Sequence, residues 1–326
     1  MKAITLKDFG GPEMMSFTDV EMPSPADEQI LIQVKASSVN RPDIIQRQGN
    51  YPAPPGDSEI LGLEVAGIVE SVGKSVKRYQ PGDRVFALVG GGGYAEYTLA
   101  REDHSMPIPE SLNFEQAACI CETYITAYLN LFMIGSLDGK QSVLIHGGGG
   151  GIATAAIQLS KALTPHTEIF ATASSTKIER VLQQGADHVI DYKKQDFAAE
   201  IRRITDKRGV DVILDHIGAK YLEPNLKSLA VGGSIVLIGV MGGIKAEINL
   251  ATMMVKRQRI IGSVLRSRPV AEKAAIIKQF EQIVMPLFAS GTITPLIHTS
   301  FPLSKAAEAH ELMESSGHFG KIVLLP

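Results

Sequence analysis

Five consecutive glycines, Gly147 to Gly151, are the feature of this 326-residue sequence whose spacing most directly indicates chemistry. An apolar stretch, Ser142 to His146, precedes them, and the proline-free stretch Ile152 to Leu163 follows. In the pattern G-x-G-x-x-G/A the first glycine permits a tight turn and the second lets the backbone approach a pyrophosphate. The small last residue, here Ala153, lets a helix lie close to the strand, and the helix N-terminus attracts the anion. The predicted pyrophosphate contacts of this dinucleotide site are Gly148, Gly150, Gly151 and Ile152.

The end of the second predicted strand indicates which dinucleotide is bound. NAD-binding proteins usually place an acid there to bind the ribose hydroxyls. This sequence has small and hydroxyl residues from Ala173 to Thr176, then Lys177, and no acid before Glu179. Hydroxyl donors and a cation suit a 2′-phosphate, so we predict NADPH, with Ala173, Ser174 and Lys177 as contacts. Taken alone, Lys177 also fits a surface lysine at the start of a helix.

A second glycine-containing turn, Gly239 to Gly243, follows the fifth predicted strand. Ligands of open parallel sheets bind beyond the carboxyl ends of the strands, so Gly239 and Met241 are candidate nicotinamide contacts. An ordinary turn after a strand explains the same residues equally well. Both interpretations stay open.

The elements that must position these turns alternate between strand and helix from about residue 142 onward. Helical spacing starts earlier, over Thr123 to Phe132, and the stretches Lys177 to Gln184 and Phe197 to Thr205 are also helical. The predicted strands are Ser142 to His146, Glu168 to Ala173, Asp187 to Ile190, Asp211 to Asp215, Ser234 to Val240 and Arg259 to Val264. This rhythm predicts an α/β fold with a doubly wound parallel sheet whose strands are buried on both faces.

The two ends of the chain have a different texture. Short predicted strands with tight turns indicate a small, partly open β-barrel; they are Ala3 to Leu6, Gln29 to Ala36, Glu64 to Val72, Arg84 to Val89 and Ala95 to Leu99. The tail is predicted to return to this first domain, with a long helix Ala271 to Ser290, an extended stretch Pro295 to Phe301, a helix Lys305 to Glu314 and a strand Ile322 to Leu325. The predicted domains are 1–122, 123–264 and 265–326.

Composition excludes several classes of protein. The net charge of −3 and a single short basic cluster, Lys256 to Arg259, do not make the basic face of a nucleic-acid-binding domain. The two cysteines, Cys119 and Cys121, are too few for a cysteine-rich metal centre or a disulfide framework. We found neither a signal peptide nor an apolar run near the ~20 residues of a membrane span. We therefore expect a soluble, cytoplasmic protein without a membrane or nucleic-acid partner.

Six motifs distributed over nearly the whole chain resemble those of one enzyme family. They are Asn40-Arg41-Pro42-Asp43, the stretch from Gln46 to Tyr51, Ile60 to Glu64, Gly91 to Tyr97, Asp191-Tyr192-Lys193-Lys194 and Leu265 to Arg268. With the predicted domains, they resemble the zinc-free quinone oxidoreductases, relatives of zeta-crystallin in the medium-chain dehydrogenase/reductase superfamily, and in particular the inducible NADPH:quinone oxidoreductase branch. The resemblance implies a GroES-like catalytic domain beside a Rossmann domain.

The resemblance also implies that no metal is bound. Zinc-dependent relatives have a Cys ligand at or beside Asn40 and a His-Glu pair where this chain has Leu63-Glu64, and their four-cysteine loop is replaced by the turn from Gly90 to Gly93. Leucine cannot ligate zinc, and one carboxylate is not a site. Without a Lewis acid, alcohol oxidation is disfavoured. A quinone needs less help, because its reduced product is aromatic.

By the same resemblance, Asn40 and Thr126 anchor the cofactor, and Tyr51 positions the quinone oxygen or donates a proton to it. Asn40 also fits a turn before Pro42, and Tyr51 also fits packing on the barrel rim. Further implied cofactor contacts are Tyr192, beside the adenosine phosphate, and Leu265, Arg266 and Ser267, at a strand end on the cofactor side. Close relatives often have Ser where this chain has Gly150.

The function expected from these features is hydride transfer from NADPH to a quinone. Reduction of an enone or 2-alkenal by the same kind of site is an open alternative. An NADPH-bound structural or RNA-binding role, known among zeta-crystallin relatives, is disfavoured by the missing basic face. The resemblance also implies a homodimer or a higher homo-oligomer, and the alternating stretch Ile244 to Leu250 is a candidate for pairing at a dimer edge.

Overall fold

The computed structural model describes all 326 residues, which divide into two compact units. Residues 1–125 and 266–326 form the first unit, and residues 126–265 form the second. The boundaries expected from sequence lie after residues 122 and 264. The first differs from the observed boundary by three residues and the second by one residue.

Fifteen strands, numbered in chain order, form three sheets. Their bounds are β1 Lys2–Leu6, β2 Met15–Asp19, β3 Gln29–Val39, β4 Glu64–Val72, β5 Arg84–Leu88, β6 Tyr97–Arg101, β7 Ser105–Pro107, β8 Ser142–Ile145, β9 Glu168–Ala173, β10 His188–Asp191, β11 Val210–Asp215, β12 Leu229–Leu237, β13 Arg259–Gly262, β14 Ile297–Pro302 and β15 Lys321–Leu325. The main α-helices are Arg41–Arg47, Phe114–Ala117, Thr126–Tyr128, Gly151–Leu163, Ile178–Gln183, Phe197–Ile204, Ala219–Ser228, Leu250–Lys256, Val270–Ile283, Met285–Ala289 and Ala306–Glu314.

The second unit is built on a six-stranded parallel sheet. Its strand order is β10-β9-β8-β11-β12-β13, which is 3-2-1-4-5-6 when its strands are counted from β8. This is the order of doubly wound dinucleotide-binding sheets, in which the ligand lies where the winding direction reverses, between the first and fourth strands. Strand β8, Ser142–Ile145, is buried along its whole length. The predicted α/β fold with a doubly wound sheet is confirmed.

The first unit is built on a mostly antiparallel seven-stranded sheet in the order β14-β15-β3-β4-β5-β7, with β6 also paired to β3. A separate hairpin joins β1 to β2. The tail returns as predicted, because β15 pairs antiparallel with β3, with Ile322 opposite Val39. Two strands of this unit, Met15–Asp19 and Ser105–Pro107, were not predicted from sequence.

The single long helix predicted over Ala271 to Ser290 is wrong. The structure has two helices, Val270–Ile283 and Met285–Ala289, separated at Val284. Pro286 is the cause, since proline has no N–H to donate and its ring clashes with the carbonyl four residues earlier. Proline is tolerated in the first turn of a helix, and Pro286 lies in the first turn of the helix Met285–Ala289.

The helical stretch predicted over Thr123 to Phe132 is also irregular. A short α-helical turn, Thr126–Tyr128, lies between two π-helical turns, Cys121–Ile125 and Leu129–Ile134. The stretch Phe114–Ile134, with a mean hydropathy of 1.4, is long and apolar enough by composition to cross a membrane, contrary to the expectation that no segment is. However, 78% of the 18-residue window of this stretch that is apolar enough is buried within the protein, as in the core helices of soluble proteins.

Two predictions at the far edge of the parallel sheet need correction. The stretch Ile244 to Leu250 forms no strand, and Leu250 instead begins the helix Leu250–Lys256, capped by the side chain of Asn249. The strand predicted to reach Val264 ends at Gly262, so Arg266 and Ser267 lie in a turn and not at a strand end. The two edge strands of this sheet are therefore β10 and β13.

Candidate functional site

The predicted phosphate turn of the second unit joins β8 to the helix Gly151–Leu163. Gly147 has a φ of +65°, which side-chain-bearing residues rarely adopt, and a Cβ there would come within 2.7 Å of His216 Cε1. The N–H of Gly148 donates to the carbonyl of Thr172 at 2.8 Å, and that of Gly150 to the carbonyl of Gly147 at 2.8 Å. The first N–H groups of the helix have no intrahelical acceptor. The turn thus has the form that a pyrophosphate requires.

A buried chain of hydrogen bonds holds this turn in place. The N–H of Gly147 donates to Thr172 Oγ1 at 3.3 Å, and Thr172 pairs with His146 Nδ1 at 3.0 Å. His146 Nε2 is 2.8 Å from Asn225 Oδ1, and the Asn225 amide donates to Asp215 at 3.1 Å. Burial lowers the pKa of His146 to about 3, so the ring is neutral and donates from Nε2. The chain therefore ties the turn to the carboxyl end of β11.

The ribose end of the site brings four predicted residues together. Ala173 ends β9, and the N–H of Tyr192 donates to its carbonyl at 3.3 Å. Ser174 precedes the short turn that contains Lys177, whose N–H donates to the Ser174 carbonyl at 2.8 Å. Burial, with the nearby charge of Arg180, lowers the pKa of the partly buried Lys177. Two cations therefore stand at this end of the site.

Sequence reasoning missed an acid here. Asp191, at the end of β10, lies opposite Ala173 in the sheet. Its carboxylate accepts a hydrogen bond from the Ser175 hydroxyl and one from the N–H of Lys193 at 3.0 Å. Those hydrogen bonds, with the Ser175 bond as the largest cause, hold the pKa of Asp191 below its usual value. The carboxylate is thus engaged by the turn that follows β9 and by its own loop, unlike the ribose-binding acid of NAD enzymes.

The remaining predicted contacts of the second unit lie in the turn at Gly239, in the helical turn Thr126–Tyr128 and at Leu265. The turn at Gly239 packs on the residues that follow β11, with the N–H of Met241 donating to the His216 carbonyl at 3.2 Å. Thr126 and Leu265 are both buried, at 9% and 7% exposure. Whether the turn at Gly239 touches the nicotinamide stays a prediction, since packing explains the same contacts.

A buried ion pair lies at the centre of the first unit. Lys321 Nζ is 3.0 Å from Glu64 Oε1, and the side chains are only 4% and 1% exposed. Lys321 Nζ also donates to Asn40 Oδ1 at 2.6 Å, and Asn40 Nδ2 donates to Glu64 Oε1 at 2.9 Å. The Ser38 hydroxyl donates to the same carboxylate. We call Ser38, Asn40, Glu64 and Lys321 the Glu64 cluster.

Asp43 is joined to the Glu64 cluster through Asn40. The N–H of Asn40 donates to Asp43 Oδ2 at 2.8 Å and the Tyr94 hydroxyl donates to the same atom at 2.9 Å. This fixes the start of the helix Arg41–Arg47, as in a capping box. Burial raises the pKa of Asp43 to about 6 despite these donors. The Asn40 side chain is committed within the protein, so its predicted role as a cofactor anchor stays a prediction.

Tyr51 lies beneath a buried cation. The Arg266 guanidinium is 5.1 Å from the centre of the Tyr51 ring and donates to the Tyr51 carbonyl at 3.4 Å. It also donates to the Gly90 carbonyl at 3.0 Å through Nε. Arg266 belongs to the first unit and is 6% exposed, whereas Ser267 is exposed. Arg266 therefore fixes the loop that carries Tyr51, and the phenol oxygen has no partner within the chain.

Comparison with known proteins identifies the family. Residues 26–110 match the alcohol dehydrogenase GroES-like domain, and residues 184–324 match the zinc-binding dehydrogenase family. The quinone oxidoreductase of rat (Rattus norvegicus) is 38% identical over 329 residues, which cover 100% of this chain and 98% of the rat protein. The chain belongs to the quinone oxidoreductase family of the medium-chain dehydrogenase/reductase superfamily. It is an oxidoreductase.

Two solved structures share the fold of this oxidoreductase. The quinone oxidoreductase of Escherichia coli, complexed with NADPH, has a TM-score of 0.89 and 28% identity, covering 100% of both chains. A protein described as an NAD-dependent alcohol dehydrogenase has the same TM-score, with 30% identity and 100% coverage of both chains. Because proteins named for different cofactors share this fold, the residues of the ribose end must decide the cofactor.

The donor set of this oxidoreductase does not fit a zinc ion. No group of three or more His, Cys, Asp or Glu is placed to hold a metal. The one carboxylate that stands at a ligand position of zinc-dependent relatives, Glu64, already holds the ammonium group of Lys321. An ammonium ion and a metal ion cannot both occupy that face of the carboxylate.

Sequence reasoning missed two charged residues of the first unit. Lys321 is separated from Glu64 by 257 positions, and the only local signal was a lysine opening an apolar strand. Glu122 lies in the π-helical turn Cys121–Ile125, and its N–H donates to Glu64 Oε2 at 2.9 Å. An acid in an otherwise apolar helical stretch was the signal that could have identified it.

Proposed function

We propose that the protein reduces quinones by hydride transfer from NADPH, without a metal. The observation that carries this is full-length similarity to proteins named quinone oxidoreductase, 38% for the rat protein and 35% for the human one. When bound, NADPH supplies a hydride from C4 of its nicotinamide ring. The second unit binds the cofactor, and the first unit contributes Tyr51, whose unpartnered phenol can hydrogen-bond a carbonyl oxygen of the substrate.

The ribose end supports NADPH over NADH. Lys177 and Arg180 supply positive charge, and the hydroxyl groups of Ser174 and Thr176 can donate to a 2′-phosphate. The carboxylate of Asp191, the acid that lies opposite Ala173, is engaged by Ser175 and the Lys193 N–H. An NADH-specific site would instead present a free carboxylate to the ribose hydroxyls.

Zinc-independent reduction is chemically reasonable for this substrate class. A quinone accepts hydride readily because the product ring is aromatic, so positioning supplies much of the catalysis. The Lys321–Glu64 pair fills the place where a Lewis acid would need its ligands. This argument supports quinone reduction over alcohol oxidation.

The direct test is NADPH oxidation at 340 nm with a panel of ortho- and para-quinones. We expect turnover with NADPH that exceeds turnover with NADH and survives dialysis against EDTA. A 2-alkenal assayed in parallel distinguishes the enone-reductase alternative. Loss of quinone turnover after EDTA treatment with recovery on adding Zn²⁺ would contradict the metal-free proposal, and turnover of only the alkenal would contradict the quinone.

We also propose that the protein is a homodimer formed at the β13 edge of the parallel sheet. Beside β13, the helix Leu250–Lys256 exposes Leu250, Met254 and Val255 at 72%, 72% and 73%, and the preceding loop exposes Ile244 at 79%. Apolar side chains beside an unpaired strand are typical of an interface between subunits. Light scattering should give twice the chain mass of 35.1 kDa, and Met254→Glu should shift it to the monomer. A monomeric mass for the unmodified protein would contradict this proposal.

A further inference from the structure

Glu122 has features that the binding of substrate and cofactor does not explain. It lies in the π-helical turn Cys121–Ile125, a rare form that often marks functional positions. Its backbone is fixed, because its N–H donates to Glu64 Oε2 at 2.9 Å. Its carboxyl group has no hydrogen bond to the protein and is partly exposed. The residue is therefore an anchored acid with a free, solvent-reachable head group.

The charges around Glu122 leave it without a cation of its own. Lys321 is bound to Glu64 and to Asn40, and Arg266 donates to main-chain carbonyls and to no carboxylate. Burial, followed by the charges of Glu64 and Asp43, raises the pKa of Glu122 to about 8. The titratable or charged groups that interact electrostatically with it are Asp43, Tyr51, Glu64, Cys121, Arg266 and Lys321.

Tyr51 is electrostatically linked to Glu122. Burial, and after it the charge of Glu122, raises the pKa of the Tyr51 phenol, while Arg266 lowers it. A phenol in this setting donates a hydrogen bond well, but it loses its proton reluctantly unless another acid replaces that proton at once. Glu122 is a nearby acid whose carboxyl group has no hydrogen-bond partner in the protein.

We propose that Glu122 is the proton source of the reduction, and that it delivers its proton to the reduced substrate through the Tyr51 phenol. The inference rests on the proposed function. The quinone gains two electrons and a proton as hydride, which leaves NADP⁺, and becomes the hydroquinone monoanion. The anionic oxygen takes the phenol proton of Tyr51, the phenolate takes the carboxyl proton of Glu122, and solvent returns a proton to Glu122. The fixed backbone and the partly exposed head group suit both transfers.

The test uses two quinones that differ in their need for a proton. Tetramethyl-1,4-benzoquinone gives a weakly acidic hydroquinone that must be protonated, whereas tetrachloro-1,4-benzoquinone gives a stable anion. Glu122→Gln should lower kcat with the first on the order of 100-fold, within the range for a lost general acid, and leave the second nearly unchanged. Tyr51→Phe should show the same selectivity, and Glu122→Asp should restore part of the rate.

Two further readouts separate a proton role from a structural one. In the unmodified protein kcat with tetramethyl-1,4-benzoquinone should fall as pH rises through about 8, where Glu122 loses its proton, and Glu122→Gln should lack that fall. Infrared difference spectra of the protein alone should show a protonated carboxyl band at neutral pH that Glu122→Gln removes. Glu70→Gln, an exposed residue of β4, is the matched control.

The outcomes distinguish this inference from the proposed function. Wild-type protein that reduces neither quinone contradicts the proposed function before any variant is made. Wild-type protein that reduces both, with Glu122→Gln equally active on both at every pH, overturns the proton role alone. A normal rate for Tyr51→Phe with the tetramethyl quinone overturns the route through the phenol.

Discussion

Replacing Gly148 by alanine is expected to weaken NADPH binding about 30-fold, which corresponds to about 2 kcal/mol of overpacking at the phosphate turn. A Cβ on Gly148 would come within 2.9 Å of Val181 Cγ1 and 3.4 Å of the Ala171 methyl. Gly148 does not have a positive φ, so its backbone accepts alanine and the penalty is purely steric. The measurement is the dissociation constant of NADPH, from the quenching or enhancement of fluorescence on titration.

Two matched variants test that explanation. Gly148→Ala combined with Val181→Ala should recover most of the affinity, because it removes the methyl groups that clash. At Gly150 a new Cβ would meet only the Gly147 carbonyl, at 3.3 Å, so Gly150→Ser should bind NADPH within a few-fold of the unmodified protein. Wild-type affinity for Gly148→Ala, or no recovery in the double variant, would show that the clash with Val181 does not control the turn.

Replacing Lys321 by methionine is expected to lower the free energy of unfolding of the first unit by about 3–5 kcal/mol. The change keeps the volume of the side chain and leaves Glu64, which is 1% exposed, as an uncompensated buried charge. Urea denaturation followed by tyrosine fluorescence measures the loss, since the chain has 8 Tyr and no Trp.

The control is a surface pair of the same chemistry. Lys305 is 3.1 Å from Glu308, with both side chains more than half exposed, so Lys305→Met should cost less than about 1 kcal/mol. Removing both charges of the buried pair, with Lys321→Met and Glu64→Gln together, should restore part of the stability. If the double variant is as unstable as the sum of its single changes, the two side chains do not interact as argued.

The parts of the molecule that sequence could predict are those that local spacing determines. The turn from Gly147 to Gly151 and the strands around it follow from residues close to one another in sequence, and the alternation of strands and helices predicts that the sheet is parallel but not its strand order. The break at Pro286 was also readable, because proline rarely continues a helix. The long helix was predicted from its apolar spacing alone, without weight on that residue.

The chemistry of the first unit could not be predicted in the same way. The Glu64 cluster combines residues 257 positions apart, and no local pattern specifies which acid a distant lysine will meet. Arg266 was expected beside the cofactor, yet it holds the loop of Tyr51. Asp191 could not be recognised from sequence as an acid at the ribose end, because it lies at the end of β10, which is brought beside β9 only by the pairing of the two strands.

The pairing of β15 with β3 has a consequence for folding during synthesis of the chain. A ribosome releases residues 126–265, an unbroken stretch, before it has made the last strands of the unit that starts at residue 1. The first unit therefore cannot complete its fold until the end of synthesis. Until then β3 lacks its pairing with β15, and Glu64 lacks the charge of Lys321. We expect the nascent chain to need protection from aggregation in that interval. The edge of β3 is then unpaired and Glu64 lacks its ion-pair partner, and unpaired strand edges favour aggregation.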